Sequence, residues 1–320
     1  MSLSRRSFLS AGAALGAGWS VAGLSGCATT APQVQAVAPG VTRVRLGAIQ
    51  VTSLTDGVAV RTLDANFVRN APLAAVQAAL AEAGLPTDKL EVPYNPLLLD
   101  VGTSRVLFDA GNGEFGPPTA GKLLANLAAA GVAPASITHV VFSHFHGDHI
   151  NGLRNKAGAL VFPNASVHVP APEWDWWMDD ARMAAAPQAM QGAFAACRRV
   201  FGPIAQQVKR FQPGAELLPG VRSLAAFGHT PGHTAFTFDG GSQKLLYWAD
   251  TTNVAALFVR NPDWSVMFDM DADAARATRH RLAKLVIAEK MLLAGYHLPG
   301  AAIGTLAVRG NGYDFTPLRA

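Results

Sequence analysis

The sequence predicts an α/β fold in which two mixed β-sheets pack face to face and helices cover both outer faces, an αββα sandwich. Three observations point there. Half of the 320 residues are apolar and 15% are charged, a composition that supports a large core and excludes intrinsic disorder. The central strand-like segments are continuous apolar runs, so each is expected to be buried on both faces. Strand-like and helix-like segments mix through both halves, with no break in composition after Gly40 and no internal repeat, which makes residues 41–320 one domain.

Residues 1–27 differ from the rest. Arg5 and Arg6 stand in Ser4-Arg5-Arg6-Ser7-Phe8-Leu9, and a weakly apolar Ala/Gly/Leu run without an acid follows. This segment resembles a bacterial twin-arginine export signal, and its glycines and serines make it a poor membrane span. Leu24-Ser25-Gly26-Cys27 resembles a lipobox, in which cleavage before Cys27 leaves a lipidated N-terminus. Cleavage after Ala36 or Ala38 is the alternative and releases a soluble protein. Both routes lead to the periplasm, and export in the folded state suits a protein that acquires a metal beforehand. Arg5 and Arg6 carry half of the +4 excess of 26 basic over 22 acidic residues, so the charge marks no nucleic-acid partner.

Residues 28–40 read as a Pro/Ala/Gln linker. Alternation at Val41–Leu46 and Ile49–Leu54 predicts two strands, and Leu73–Gly84 a helix. Pro96–Val101 and Arg105–Asp109 read as buried strands joined by the tight turn Gly102-Thr103-Ser104. Lys122–Gly131 is an amphipathic helix with a glycine cap, and Ile137–Ser143 is another apolar strand. Ala171–Val208 is mostly helical and rich in aromatics. Three strands are expected between Val221 and Asp250, and a long helix with a basic face over Ala272–Leu293. Short strands near Leu306 and Phe315 close the chain.

Two cysteines build neither a disulfide scaffold nor a four-thiolate zinc site; Cys27 belongs to processing and Cys197 to packing. Nine histidines leave transition-metal chemistry to nitrogen and oxygen ligands. The richest segment is Phe142-Ser143-His144-Phe145-His146-Gly147-Asp148-His149, directly after a strand. Extended backbone directs His144 and His146 to one side. Gly147 then permits a sharp turn with close backbone approach, and Asp148 and His149 swing toward a second position nearby.

HxHxDH after a buried strand is the signature of the metallo-β-lactamase-fold hydrolases, and the chain resembles that family further along. Gly228-His229-Thr230-Pro231-Gly232-His233-Thr234 resembles its Thr-Pro-Gly-His-Thr turn, Tyr247-Trp248-Ala249-Asp250 its strand-ending aspartate, and Gly295-Tyr296-His297-Leu298-Pro299 its last ligand loop. The resemblance implies that one metal takes His144, His146 and His233 and the other takes Asp148, His149 and His297. Asp250 and a water or hydroxide would lie between them. It also implies a dinuclear hydrolase in which the bridging hydroxide attacks and Asp148 takes or returns a proton. Zinc is the foremost metal, with manganese, iron or cobalt as alternatives, since imidazoles and carboxylates suit all four. The nearest resemblance is to methyl parathion hydrolases and their lactonase-like relatives, from about Ala31 to Leu318. Gly147 replaces a common proline there, and Asp175–Ala195 matches poorly.

Asp109 resembles a position that holds a ligand imidazole in place, with a plain turn role as the alternative. His229 reads as a turn-stabilising or ligand-supporting residue. His139, His168 and His280 read as structural or solvated. Helical geometry puts Trp174 and Trp177 on one face, either in the core or as an aromatic wall over the metals, and Tyr296 could polarise a substrate oxygen. The expected partner is a small apolar ester-like molecule, a lactone or an aryl phosphotriester; a β-lactam or a non-catalytic metal-binding module is the alternative. A membrane is met only through the Cys27 anchor, and a homodimer is compatible with the sequence.

Overall fold

The computed structural model describes residues 32–319; the twin-arginine segment and Cys27 lie outside them. Eight strands form the first sheet, in the order Gln33–Ala38, Val41–Leu46, Ile49–Leu54, Leu97–Val101, Ser104–Phe108, His139–Val141, Ser166–Pro170 and Lys209–Phe211. The first five pair antiparallel and the last four parallel, with Ser104–Phe108 shared between the two regimes. The second sheet runs Glu216–Leu218, Val221–Ala225, Thr234–Asp239, Lys244–Tyr247, Leu292–Ala294, Ile303–Arg309 and Gly312–Pro317. Its one parallel pair is Lys244–Tyr247 with Leu292–Ala294. A separate two-stranded ribbon joins Gly57–Thr62 to Lys89–Tyr94.

Period-two geometry explains why the apolar runs are continuous. Leu97 and Leu99 enter the core between the sheets, while Leu98 enters the core beneath the outer helices. Val106 and Phe108 divide from Leu107 in the same way. Phe108 meets Phe236 and Phe238 of the facing sheet with ring centroids 4.8 and 5.0 Å apart. Helices Leu123–Ala129 and Gln188–Phe201 cover the outside of the first sheet with Leu123, Leu127, Phe194, Val200 and Phe201. Helix Ala272–Ala288 covers the second with Leu282, Ala283 and Val286. The αββα sandwich of two mixed sheets is therefore present as expected.

Three expectations need correction. Residues 33–38, read as linker, form an edge strand paired with Val41–Leu46; Val34 packs against the inter-sheet core, and Gly40 at φ +79° makes the reversal. The long helix ends at Ala288, because Lys290 turns to φ +51° and Leu292–Ala294 enters the sheet beside Lys244–Tyr247. The basic face of that helix is not wholly solvated, since Arg279 is 1% exposed. Cys197 is buried with its thiol 3.6 Å from the Phe145 carbonyl, the packing role foreseen for it.

Candidate metal centre

Strand register gathers the site at one edge of the sandwich. Tyr247 pairs with Ala294 in parallel, and Asp250 and His297 each follow three residues later, so both side chains emerge together. In the first sheet Phe108 pairs in parallel with Val141, which places Asp109 beside the segment carrying His144. The Ser143 carbonyl accepts from the Thr234 amide at 3.0 Å and ties the two sheets together there. Ala249 holds φ +46°, a left-handed turn costing an L-residue roughly 1–2 kcal/mol, and its carbonyl accepts from the Tyr296 amide.

Seven donors converge in two groups. His144, His146, His229 and Asp250 form one, and Asp148, His149 and His297 the other. In the first, His146 Nδ1 lies 3.0 Å from His144 Nε2 and 2.9 Å from His229 Nε2, and Asp250 Oδ2 is 3.3 Å from His229 Nε2. Asp250 also reaches the second group, with Oδ1 3.1 Å from His149 Nε2 and Oδ2 3.0 Å from His297 Nε2. Asp148 Oδ2 stands 3.5 and 3.6 Å from His149 and His297.

Such an arrangement suits a cation. His149 Nε2 and Asp250 Oδ1 face each other at 3.1 Å without hydrogen-bond geometry, and neither has a hydrogen-bond partner elsewhere among the described residues, a costly state for buried polar atoms unless an ion satisfies them. Burial, reinforced by neighbouring histidines, holds His144 and His146 well below the ordinary imidazole range, so both rings are neutral and offer lone pairs. For His229 burial opposes the charge, but Asp250 and Asp269 outweigh it and raise the group to about 9. His149 is raised in the same sense by Asp250, Asp148 and Asp109, and His297 chiefly by Asp250. Burial would raise Asp250, but His297 and His149 hold it well below the carboxylate range. Protons on imidazoles thus balance the carboxylates, and divalent cations can displace them. The donor set fits two divalent ions with nitrogen and oxygen preferences.

Buried groups behind the donors fix their orientation. Asp109, fully buried at φ +60°, lies 3.0 Å from His149 Nδ1 and accepts from the Ser143 amide and the Tyr247 hydroxyl, both at 2.8 Å. That placement is the one an imidazole-holding role requires, and its left-handed backbone also makes the turn. The His297 Nδ1–H donates to the Pro93 carbonyl at 2.7 Å, leaving Nε2 for the site. Glu173, which sequence reasoning passed over, is fully buried and accepts from the Phe145 amide, Trp177 Nε1, Thr230 Oγ1 and the Gly232 amide at 2.7 to 3.0 Å. One carboxylate therefore braces the loop of His144 and His146 and the turn of His229. Burial raises Glu173, and those four hydrogen bonds oppose it. Its one sequence signal was an acid in the aromatic run of helix Ala171–Trp177.

Four expectations change. His229, not His233, joins the first group: the His233 Nδ1–H donates to the Ala226 carbonyl at 2.8 Å and its Nε2 accepts from the Asp250 amide at 3.1 Å, so both ring nitrogens are engaged. Trp174 and Trp177 belong to the core beneath the first sheet and form no wall over the site; Trp177 reaches His146 only from behind, at a 6.2 Å ring separation. Tyr296 is fully buried against the His149 ring and its hydroxyl donates to the Asp148 carbonyl at 2.6 Å, so it positions a donor rather than a substrate. Gly147 has no left-handed φ; it opens the helix Gly147–Ile150, a first-turn position that proline also favours, although a Cβ there would lie 3.0 Å from Asn151 Nδ2. His139, His168 and His280 lie outside both donor groups, as expected.

Comparison with known proteins agrees with this architecture. The model of the metallo-beta-lactamase superfamily matches residues 91–296. A rat protein, metallo-beta-lactamase domain-containing protein 1, is 36% identical over 89 residues, which span 28% of this chain and 28% of the rat protein. Among solved structures, AidC, a dizinc quorum-quenching lactonase in complex with a product, is 29% identical with a TM-score of 0.83, covering 88% of this chain and 98% of that one. The hydrolase AbOPH is 24% identical with a TM-score of 0.81 over the same shares, a likeness of fold. On its family match and its αββα architecture, this chain belongs to the metallo-beta-lactamase superfamily.

Proposed function

We propose that the chain is a dinuclear metal-dependent hydrolase of ester-like substrates, with lactones favoured over aryl phosphotriesters. The observation that carries the reading is the convergence of two buried donor groups on the shared carboxylate of Asp250. His144, His146, His229 and Asp250 would hold one ion, and Asp148, His149 and His297, again with Asp250, the other. Two bound divalent ions supply Lewis acidity that polarises a carbonyl oxygen and makes hydroxide available near neutral pH. Asp148 is the most exposed of the seven donors apart from His146, with 23% of its side chain open, which suits its Oδ2 to take a proton and return it to a leaving group. The Tyr296 hydroxyl keeps that carboxylate in place through the Asp148 carbonyl.

The lactone preference is supported by the 29% identity to a dizinc lactonase over almost its whole length. A cleft of about 550 Å³ opens beside His297, with an apolar wall of Pro93, Val254, Ala256 and Phe315 and charged groups from Glu91, Arg260 and Arg309. The apolar wall suits the apolar arm of a substrate. Twin-arginine export to the periplasm with a lipid anchor at Cys27 completes the proposal. It is supported by the strand Gln33–Ala38: cleavage after Ala36 would cut within this paired strand and cleavage after Ala38 would remove it, whereas cleavage before Cys27 leaves it whole.

The test is a panel of lactones, aryl phosphotriesters, aryl esters and β-lactams, assayed with the zinc-loaded chain and again after chelation. Turnover of lactones that vanishes on chelation and returns with zinc is expected. Full turnover in a metal-free preparation, or no turnover of any class with two metals bound, overturns the reading.

A further inference from the structure

Behind the first donor group lies a buried ion pair that the proposed chemistry does not use directly. Asp269 and Arg279 are each 1% exposed, and a charge buried to that degree is costly unless its partners are in place. Asp269 Oδ1 is 3.0 Å from His229 Nδ1, and its Oδ2 is 3.5 Å from an Arg279 Nη2 that approaches it as an ion pair. The backbone follows the same line, because the Met270 amide donates to the His229 carbonyl at 3.1 Å and the Asp271 amide to the Gly228 carbonyl at 2.9 Å.

Arg279 reaches a second donor by another route. Its Nε donates to the carbonyl of Thr251, the residue after Asp250, at 3.0 Å. Nη1 donates to the Pro262 and Trp264 carbonyls, both at 2.7 Å. A planar guanidinium with five donors in a fixed fork can hold these groups at set angles, which an ammonium cannot. One side chain therefore spans from the carboxylate that orients His229 to the peptide that carries Asp250, whose Oδ2 sits 3.3 Å from His229 Nε2.

We infer that Asp269 and Arg279 are a positioning pair that holds His229 and Asp250 in register and so sets how firmly the His144/His146/His229/Asp250 group retains its ion. The inference rests on the proposed dinuclear site. Asp250 also faces the Asp148/His149/His297 group, but the pair reaches it only through the Thr251 carbonyl, whereas Asp269 lies 3.0 Å from His229 Nδ1 itself, so the second ion is affected far less.

Zinc retention distinguishes this role from general support of the fold. Zinc per chain is counted by mass spectrometry along a chelator titration for the native chain and for Asp269→Asn, Arg279→Lys and Arg279→Met. Cobalt(II) absorption spectra report each site's geometry. Native protein keeps two ions. Asp269→Asn and Arg279→Met release one of the two at roughly 10- to 100-fold lower chelator, the size typical of a lost ligand-orienting partner, while the other is kept. Arg279→Lys falls between them and the native chain. Should a single variant fail to fold, Asp269→Asn with Arg279→Met removes both charges together, leaves no unpaired buried ion and gives the same reading. Folded variants that keep both ions at the native chelator concentration, or lose both in step, overturn the inference. A native chain that binds no zinc overturns both the inference and the function on which it rests.

Discussion

Two turns in this molecule carry clustered histidines and use them differently. In the segment from His144 to His149 all three histidines reach the donor groups, whereas in the turn from Gly228 to Thr234 only His229 does. The difference lies in which lone pairs the backbone has already taken. Beyond Ser143 the first segment follows no strand, and a short helix begins only at Gly147, so no backbone group takes His144 Nε2 or His146 Nδ1, which meet at 3.0 Å, while Ser143 Oγ lies 3.0 Å from the other nitrogen of His144. In the second turn His233 is already committed to the sheet: its carbonyl accepts from the Ala226 amide, and its ring bridges the Ala226 carbonyl and the Asp250 amide. His229 keeps Nε2 for the site because Asp269 takes its other nitrogen. A histidine becomes a ligand by what its remaining nitrogen is spared, not by its neighbours in sequence.

Exchanging the two histidines breaks this comparison most severely. His229→Ala is expected to lose one metal ion and more than the roughly 10- to 100-fold in activity typical of a ligand-orienting partner. His233→Ala should keep both ions, weakened, and cost about 1–3 kcal/mol of stability for the Asp250 amide left without its acceptor. Metal counts and thermal denaturation of the two variants separate them; equal metal loss in both contradicts the assignment of His229.

Glu173 is the joint between the two turns, and its removal should disturb both. In Glu173→Gln an amide nitrogen replaces one of two oxygens that each face two donors, so a donor meets donors. The expected result is about 1–3 kcal/mol of stability and a roughly 10- to 100-fold loss in zinc affinity, read by denaturant titration and chelator competition. Trp177→Phe removes the indole N–H from that carboxylate and leaves part of a core site unfilled, so the cavity adds to the lost hydrogen bond. At least about 1 kcal/mol should be lost, with both zinc affinities nearly unchanged.

A smaller effect tests a histidine that serves neither turn. Burial, together with His139 and Lys209, lowers His168 to about 4, while the unfolded chain titrates near 6.5. The neutral ring then contributes stability that is whole above about pH 6.5 and drains away as the pH falls toward 4, because the unfolded state binds the proton first. The melting temperature of His168→Asn should fall less steeply over that window than that of the native chain. Parallel curves would mean that His168 is not held neutral by the fold.

The sequence made local geometry legible. His144, His146, Asp148 and His149 lie within six positions, so a strand end and an expected turn at Gly147, which proves to be a helix start, were enough to anticipate two groups. Asp109, Asp250 and His297 were placed by resemblance to the family's motifs, and in the structure each follows an apolar strand. The choice of His229 over His233 was hidden, since it depends on Asp269, 40 residues away in the chain. Glu173 was hidden for the same reason, its partners lying as far as 59 residues on. Arg279 read as one cation on a basic helix face until three carbonyls and a carboxylate were found around it. The edge strand Gln33–Ala38 was masked by its alanines and glutamines, which carry little strand signal without their partner Val41–Leu46.

The most direct test of the two-group site is the metal content of the mature chain purified without added chelator, measured together with its lactone turnover. The account predicts two divalent ions per chain, with zinc foremost, and turnover that falls to background when they are removed and recovers when zinc is restored. Turnover that persists with no metal bound, or a fully active chain carrying a single ion, would contradict it.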